Sequence, residues 1–552
     1  MTIWGTGEKV KHYFADELVK EVEITGAQFL VKFLEHKGVA QVYGLPGATN
    51  LPLYEAVLEG EYMRIINVRN EQTAIFMADG YARSTEKIGI CTIASGSGAT
   101  NLLTGFYSAN EDSVPLIAFI DLQEVQDGGI VERAQSVTKA AYLVTKASDL
   151  PKVMSEAWTA ANQGRKGPVL VNLPLKVQKE FLKINLENYL MKENAEPVRA
   201  MQVTDSQLEQ VYTLIEEAQN PVLMVGGGVA LGSSGEDLID LAQLLQIPVV
   251  SSLMGKDCFP NYHPLYAGMA GTMCQTPLGE KTLLGADLVL NLDGGINSWS
   301  AEKINSLKEG CKIIHIRADQ KEVTDQNSTE LIITSDIKNF LRKLSRFIRD
   351  RQYEPSREAL ERIELLQIER TRIDRLRDLG CGPLKPEQAI VEVRKGLRPD
   401  AIVTLDHGLS QIWANQLHEA YEPRTFLITD RAAAPGWGLG AAMGAQLAYP
   451  ERQVVNVVGD ASLSVCLQEL ATAAKHNIPV VVVVFQRGLG LAAVAKGMGV
   501  EAELVEKPKQ ITDALARAFS AYRPYLIEIL VDPGAQSSAG FPGTMNSVRE
   551  VS

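Results

Sequence analysis

The sequence predicts an α/β protein made of three doubly wound parallel-sheet domains, and three observations carry that prediction. Its short apolar runs, such as "PLIAFI", "PVLVNLP" and "VVVVVF", are apolar at nearly every position rather than at alternate ones. Strands of that kind are covered by helices on both faces, as in parallel sheets. The runs alternate with amphipathic helical stretches, which is the pattern of repeated crossover units. Finally, 552 residues exceed what one core can serve, so the chain must divide.

Taken in order, residues 1–24 are broken by charges and lack the apolar centre of a signal peptide, so they are expected to form an N-terminal extension. The first domain is expected over 25–190. It opens with "TGAQ", a Thr-x-x-Gln capping box ahead of Phe29, Leu30, Phe33 and Leu34 on one helix face. Further on, "NEQTAIFMADGYARS" predicts a helix with Asn70 as N-cap and Glu71 in its first turn. "IGICTIASGSGATNLLTGFYSA" then reads as strand, glycine-serine loop and helix. A second domain is expected over 200–350, where "PVLMVGGGVALG" is a strand running into a glycine turn. The G-x-G-x-x-G pattern is incomplete there and no acid ends the next strand, which argues against NAD. Gly226, Gly227 and Gly228 remain candidate cofactor contacts. Residues 351–385 are rich in Glu and Arg and read as a solvated helical linker. The third domain is expected over 386–533, and the Gly/Ser/Pro-rich 534–552 as a flexible tail.

Composition narrows the function. A net charge of −13 excludes a general nucleic-acid binder. No apolar run approaches the roughly 20 residues of a membrane span. The six cysteines (Cys91, Cys258, Cys274, Cys311, Cys381, Cys466) are scattered without a C-x-x-C pair. That argues against zinc and for a reducing, cytoplasmic setting.

The motifs add chemistry. "VYGLPGATNLPLYEAV", "RNEQTAIFMADGYAR", "SGSGATNLLTGFYSA", "GRKGPVLVNLP" and "GDASLSVCLQELATAAKHNIPV" resemble the signatures of the thiamine diphosphate (ThDP) enzymes of the acetolactate synthase group. The resemblance covers about residues 25–533. "SSLMGKDCFPNYHPLYAGMAG", "GEKTLLGADLVL" and "GLSQI" look closest to glyoxylate carboligase. It implies a pyrimidine-binding-type first domain, a Rossmann-like central domain and a diphosphate-binding-type third domain. It also implies a homodimer or homotetramer with ThDP shared between two chains, acting on a 2-keto acid. Glu71 matches the glutamate that activates the pyrimidine, which glyoxylate carboligase itself lacks; a first-turn acid is also ordinary helix capping. Gly408, Leu409, Ser410 and Gln411, Gly436, Trp437 and Gly438, and Gly459, Asp460, Ala461 and Ser462 match the turns that face the diphosphate. Asp460 matches the aspartate that ligates magnesium; as a plain helix N-cap it has a second explanation.

The pattern breaks at Arg487, which stands 27 residues after Asp460 where the family places a metal-binding asparagine. A guanidinium has no acceptor to offer a cation. At 4 Å from a divalent ion it is repelled by about 8 kcal/mol at an effective dielectric near 20. Beyond "GLG" the family's cofactor-covering residues are missing, the loop "DLQEVQDGGIVERAQSVTK" is short, and Gly295 replaces an arginine that faces flavin in relatives. Three readings follow. Arg487 grips the diphosphate in place of magnesium, in a divergent ThDP enzyme. Alternatively, ThDP is lost and the cleft serves FAD or an anionic substrate. Or the chain is a non-catalytic paralogue or partner subunit.

Overall fold

In the computed structural model, the described residues are 21–60, 62–121, 130–193, 202–232, 234–271, 274–293, 307–318, 329–376, 384–430, 432–486 and 490–532. The chain clusters into two compact units. One contains residues up to Ala78 together with Ile88–Arg199; the other contains Asp79–Lys87 and everything from Ala200.

The first unit contains strands β1 (Val22–Thr25), β2 (Gln41–Leu45), β3 (Arg64–Asn67), β4 (Gly89–Ile93), β5 (Leu116–Ile120), β6 (Ala140–Leu143), β7 (Pro168–Asn172) and β8 (Phe181–Ile184). Six of them form one parallel sheet in the order β3-β2-β4-β5-β7-β6. β1 and β8 make a separate antiparallel pair, Val22 opposite Ile184. Residues 22–24, assigned to the extension by their charge, are therefore part of the folded domain: β8 supplies the backbone partners that no sequence pattern advertised. The capping box at Thr25 and Gln28 is formed in both directions. Phe29 and Phe33 are fully buried, and they meet Tyr189 and Trp158 at ring distances of 5.5 and 5.8 Å.

The second unit holds two further parallel sheets. The central one orders β11 (Tyr266–Met269), β10 (Val249–Ser251), β9 (Pro221–Val225), β12 (Leu288–Leu292), β13 (Lys312–Arg317) and β14 (Thr329–Thr334). The last one orders β16 (Phe426–Leu427), β15 (Ile402–Leu405), β17 (Val454–Gly459), β18 (Val481–Gln486), β20 (Tyr525–Leu530) and β19 (Glu501–Val505). Every residue of β15 and β18 is buried, as expected for strands covered on both faces. The charged segment expected to be a solvated linker contains the helix Arg357–Leu376, but one face of it packs. Ile363 and Leu366 are buried, and Arg362 donates to the Pro221 carbonyl at 2.9 Å. Composition hid this because long arginine stems cover apolar surface while their heads bind carbonyls.

Asp79–Lys87, the second half of the helix Glu71–Thr85, brings a buried ion pair to this unit. Arg83 Nε lies 2.6 Å from Asp79 Oδ1, with both side chains at 4% exposure or less. Arg83 also donates to the Ile428 carbonyl at 2.9 Å, and Trp437 Nε1 donates to Asp79 Oδ1 at 3.0 Å.

Candidate active site

Within the first unit, Glu71 is the first residue of its helix and is half-buried. Asn70, just before it, accepts from the Gln72 N–H at 2.8 Å, as an N-cap does. The carboxylate of Glu71 is held by a hydrogen bond at one oxygen and packs over a glycine at the other. Oε2 accepts from Asn101 Nδ2 at 2.9 Å. Oε1 lies where a Cβ on Gly98 would come within 2.1 Å, so any larger residue there would push the carboxylate aside. Gly98 and Asn101 belong to the single turn Ser97–Asn101, which follows β4 through "SGSGATN". Neither was among the expected site residues, although both lie in a motif that carried the resemblance.

In the second unit, three expected turns meet at the carboxyl edge of the last sheet. β15 leads into Gly408, where φ is +140° and nothing stands within 4 Å of a built Cβ, and then into the helix Leu409–Leu417. Gly436 (φ +85°) opens the helix Trp437–Ala448. β17 ends at Gly459, and Asp460 begins the helix Asp460–Cys466. Ser462 Oγ donates to the His407 carbonyl at 2.8 Å, joining the first turn to the third. Ser410 Oγ and Gln411 Oε1 are buried and have no hydrogen-bond partner among the described residues. Orphaned buried oxygens beside open glycine turns fit an absent polar ligand such as a diphosphate. Trp437 contributes its backbone alone, because its indole is fully buried against Asp79 and Arg83.

Asp406 joins these turns and was not foreseen. Its carboxylate, at the end of β15, accepts from Gly436 N at 3.0 Å, Gly438 N at 3.2 Å and His407 N at 3.1 Å. Burial pushes its pKa up to about 7, although those three N–H groups pull the other way. An acid closing an apolar strand one residue before a glycine turn was the available signal.

Asp460 Oδ1 accepts from the adjacent Ala461 N–H at 2.8 Å; the N-cap position itself is Gly459 and no side chain caps this helix, so the plain N-cap reading of Asp460 does not hold. No group of three or more His, Cys, Asp or Glu side chains among the described residues is placed to hold a metal. Arg487 lies outside the described residues, as does Gly295. At the Gly226–Gly228 turn of the central domain, a Cβ on Gly228 would fall 2.0 Å from Asp293 Oδ2. Arg317 holds that carboxylate at 3.5 Å, so an acid already fills the glycine face where a flavin diphosphate would approach.

Three parallel sheets with ligand turns at a carboxyl edge define a doubly wound cofactor enzyme. The profiles of the thiamine pyrophosphate enzyme N-terminal TPP binding, central and C-terminal TPP binding domains match residues 24–139, 208–344 and 406–491 in that order. A probable acetolactate synthase large subunit from Methanocaldococcus jannaschii is 30% identical over 92% of both chains. The acetolactate synthase large subunit of Corynebacterium glutamicum is 31% identical over 93% of this chain and 88% of its own. The chain belongs to the thiamine pyrophosphate enzymes, in their acetolactate synthase-like group. A solved ThDP-dependent 4-hydroxybenzoylformate decarboxylase from Rhodococcus jostii RHA1 shares the fold, with a TM-score of 0.78 at 23% identity over 92% of this chain and 99% of its own. No helix among the described residues is long and apolar enough to cross a membrane.

Proposed function

We propose that this chain uses ThDP to decarboxylate a 2-keto acid, or to join one to a second carbonyl compound, as a homodimer or homotetramer in the cytoplasm. The observation that carries the reading is the cradle around Glu71, where Gly98 leaves room for one oxygen and Asn101 fixes the other. A carboxylate so held has one defined direction in which to give or take a proton. When bound, ThDP supplies the carbanion and electron sink that loss of carbon dioxide requires. The chain's part is to hold the proton at Glu71, and to meet the diphosphate with Ser410 Oγ and the turns at Gly408 and Gly459, while Asp406 takes the Gly436 and Gly438 N–H groups and fixes the third turn beside them. The retained cradle disfavours a non-catalytic partner, for which nothing would keep Gly98 clear.

Magnesium fits poorly, since residue 487 is an arginine without an acceptor where the resemblance calls for a ligand asparagine beside Asp460. We propose instead that Arg487 balances part of the diphosphate charge. Flavin is also the weaker fit, because Asp293 at Gly228 would face a diphosphate of like charge. Calorimetric titration of cofactor-stripped protein with ThDP, with magnesium and then with chelator, tests the reading. Saturable binding in both buffers, followed by carbon dioxide release from at least one 2-keto acid, is expected. Absence of binding in both buffers would refute it.

A further inference from the structure

Away from the cofactor turns, the second unit contains a cavity of about 80 Å³ between the central and last sheets. At roughly 10–15 Å³ per water-sized atom it has room for about five to eight heavy atoms. Its wall is polar and charged. Lys256 and His418 line it at 4% and 5% exposure, with Asn261 at 2%. The charged lining groups are Lys256, Arg370 and Glu419, two cations against one anion. Glu419 lies 3.8 Å from Arg370, which also donates to the Asn261 and His263 carbonyls.

Two features point to an absent guest. The His418 ring lines the cavity and stacks on Phe426 at 5.4 Å. Burial first, then the charges of Arg394 and Lys256, hold that imidazole neutral. Lys256 meanwhile donates 2.8 Å to the carbonyl of Asn415 and 3.5 Å to Met269 Sδ, with the Phe426 ring at 5.3 Å. A neutral imidazole and an ammonium facing one small buried space suit a ligand with a negative oxygen and a short apolar body, since Ala267 and Leu278 also line it.

We infer that this cavity is a binding site for a short-chain carboxylate monoanion, held by Lys256 and His418 and separate from the cofactor turns. The helix Leu409–Leu417 relates the two places: it starts from the Gly408 turn, its last turn carries Gln416 and Leu417 to the cavity, and its Asn415 carbonyl accepts from Lys256.

The test is calorimetry of the full ThDP-loaded chain with sodium propionate, against sodium chloride at matched ionic strength and against inorganic phosphate. Saturable propionate binding is expected. Lys256→Met keeps the stem and removes the charge; His418→Phe keeps the stacking and removes the nitrogens. Each should weaken propionate roughly tenfold or more, as loss of a charge-assisted hydrogen bond does. Turnover should stay unchanged. If Lys256→Met fails to fold, Ala267→Leu tests the same idea by filling the space, and it should abolish binding. No saturable propionate binding, or binding that survives all folded variants, would overturn the assignment. Phosphate binding in place of propionate would overturn the carboxylate class as well.

Discussion

Glu71 can be tested apart from the stability of the fold, because its Asn101 hydrogen bond and its Gly98 neighbour come from one turn. Replacing it with Gln keeps the Asn101 geometry and removes the proton-transfer group. Turnover is expected to fall roughly 10²–10⁴-fold, with melting temperature nearly unchanged. Gly98→Ala should mimic that loss, since its Cβ would come within 2.1 Å of Oε1 and displace the carboxylate. Because both changes strike the same contact, the double variant should be little worse than Glu71→Gln, and a multiplicative loss in initial-rate assays would refute the cradle. The sequence made Glu71 and its N-cap Asn70 legible, because a helix start has a local signature. It hid Gly98 and Asn101 as partners, since their reach to Glu71 crosses from one strand-to-helix connection to the next.

Among elements, the joint between β15 and the helix Trp437–Ala448 depends on one buried acid. Burial raises the Asp406 pKa from its ordinary 3.8 to about 7. The folded chain therefore binds that proton more tightly than the unfolded chain does. The resulting stability is full below about pH 4 and is lost as pH rises through about 7. Asp406→Asn cannot ionise, so denaturant titrations should show wild type losing on the order of 3 kcal/mol relative to the variant between pH 5 and pH 8. A constant difference across that range would contradict the shift. The pair Asp79–Arg83 has the opposite character, being joined at 2.6 Å and capped by Trp437. Removing one partner strands the other, so Arg83→Met should lower the unfolding free energy by about 3–5 kcal/mol. The apolar strands made these sheets readable in advance, whereas the buried acids that pin their loops were not. An Asp at a strand end reads as a turn residue until its N–H donors are known. The helix Arg357–Leu376 hid its packed face for a related reason: Arg362 and Arg370 look like solvent charge in a sequence and serve here as carbonyl donors.

For the whole molecule, the three-sheet order was legible because each parallel strand declares itself by composition, and the motifs at the strand ends carried the family. The metal question was also visible from residue 487 alone. If a guanidinium replaces the ion, ThDP affinity of wild type should not change with chelator. Arg487→Asn should make binding magnesium-dependent, and calorimetry with and without magnesium would read both. What the sequence could not announce was the antiparallel pairing of β1 with β8, because neither strand has an alternating pattern long enough to stand alone. That pairing also bears on how the chain is made. Val22 must wait for Ile184, 162 residues further on by subtraction (184 − 22). At about 5–20 residues per second of synthesis, this is a delay of roughly 8–32 s. Throughout that interval β1 has an unsatisfied edge, so the nascent first domain is open to pairing with another chain until its own last strand arrives.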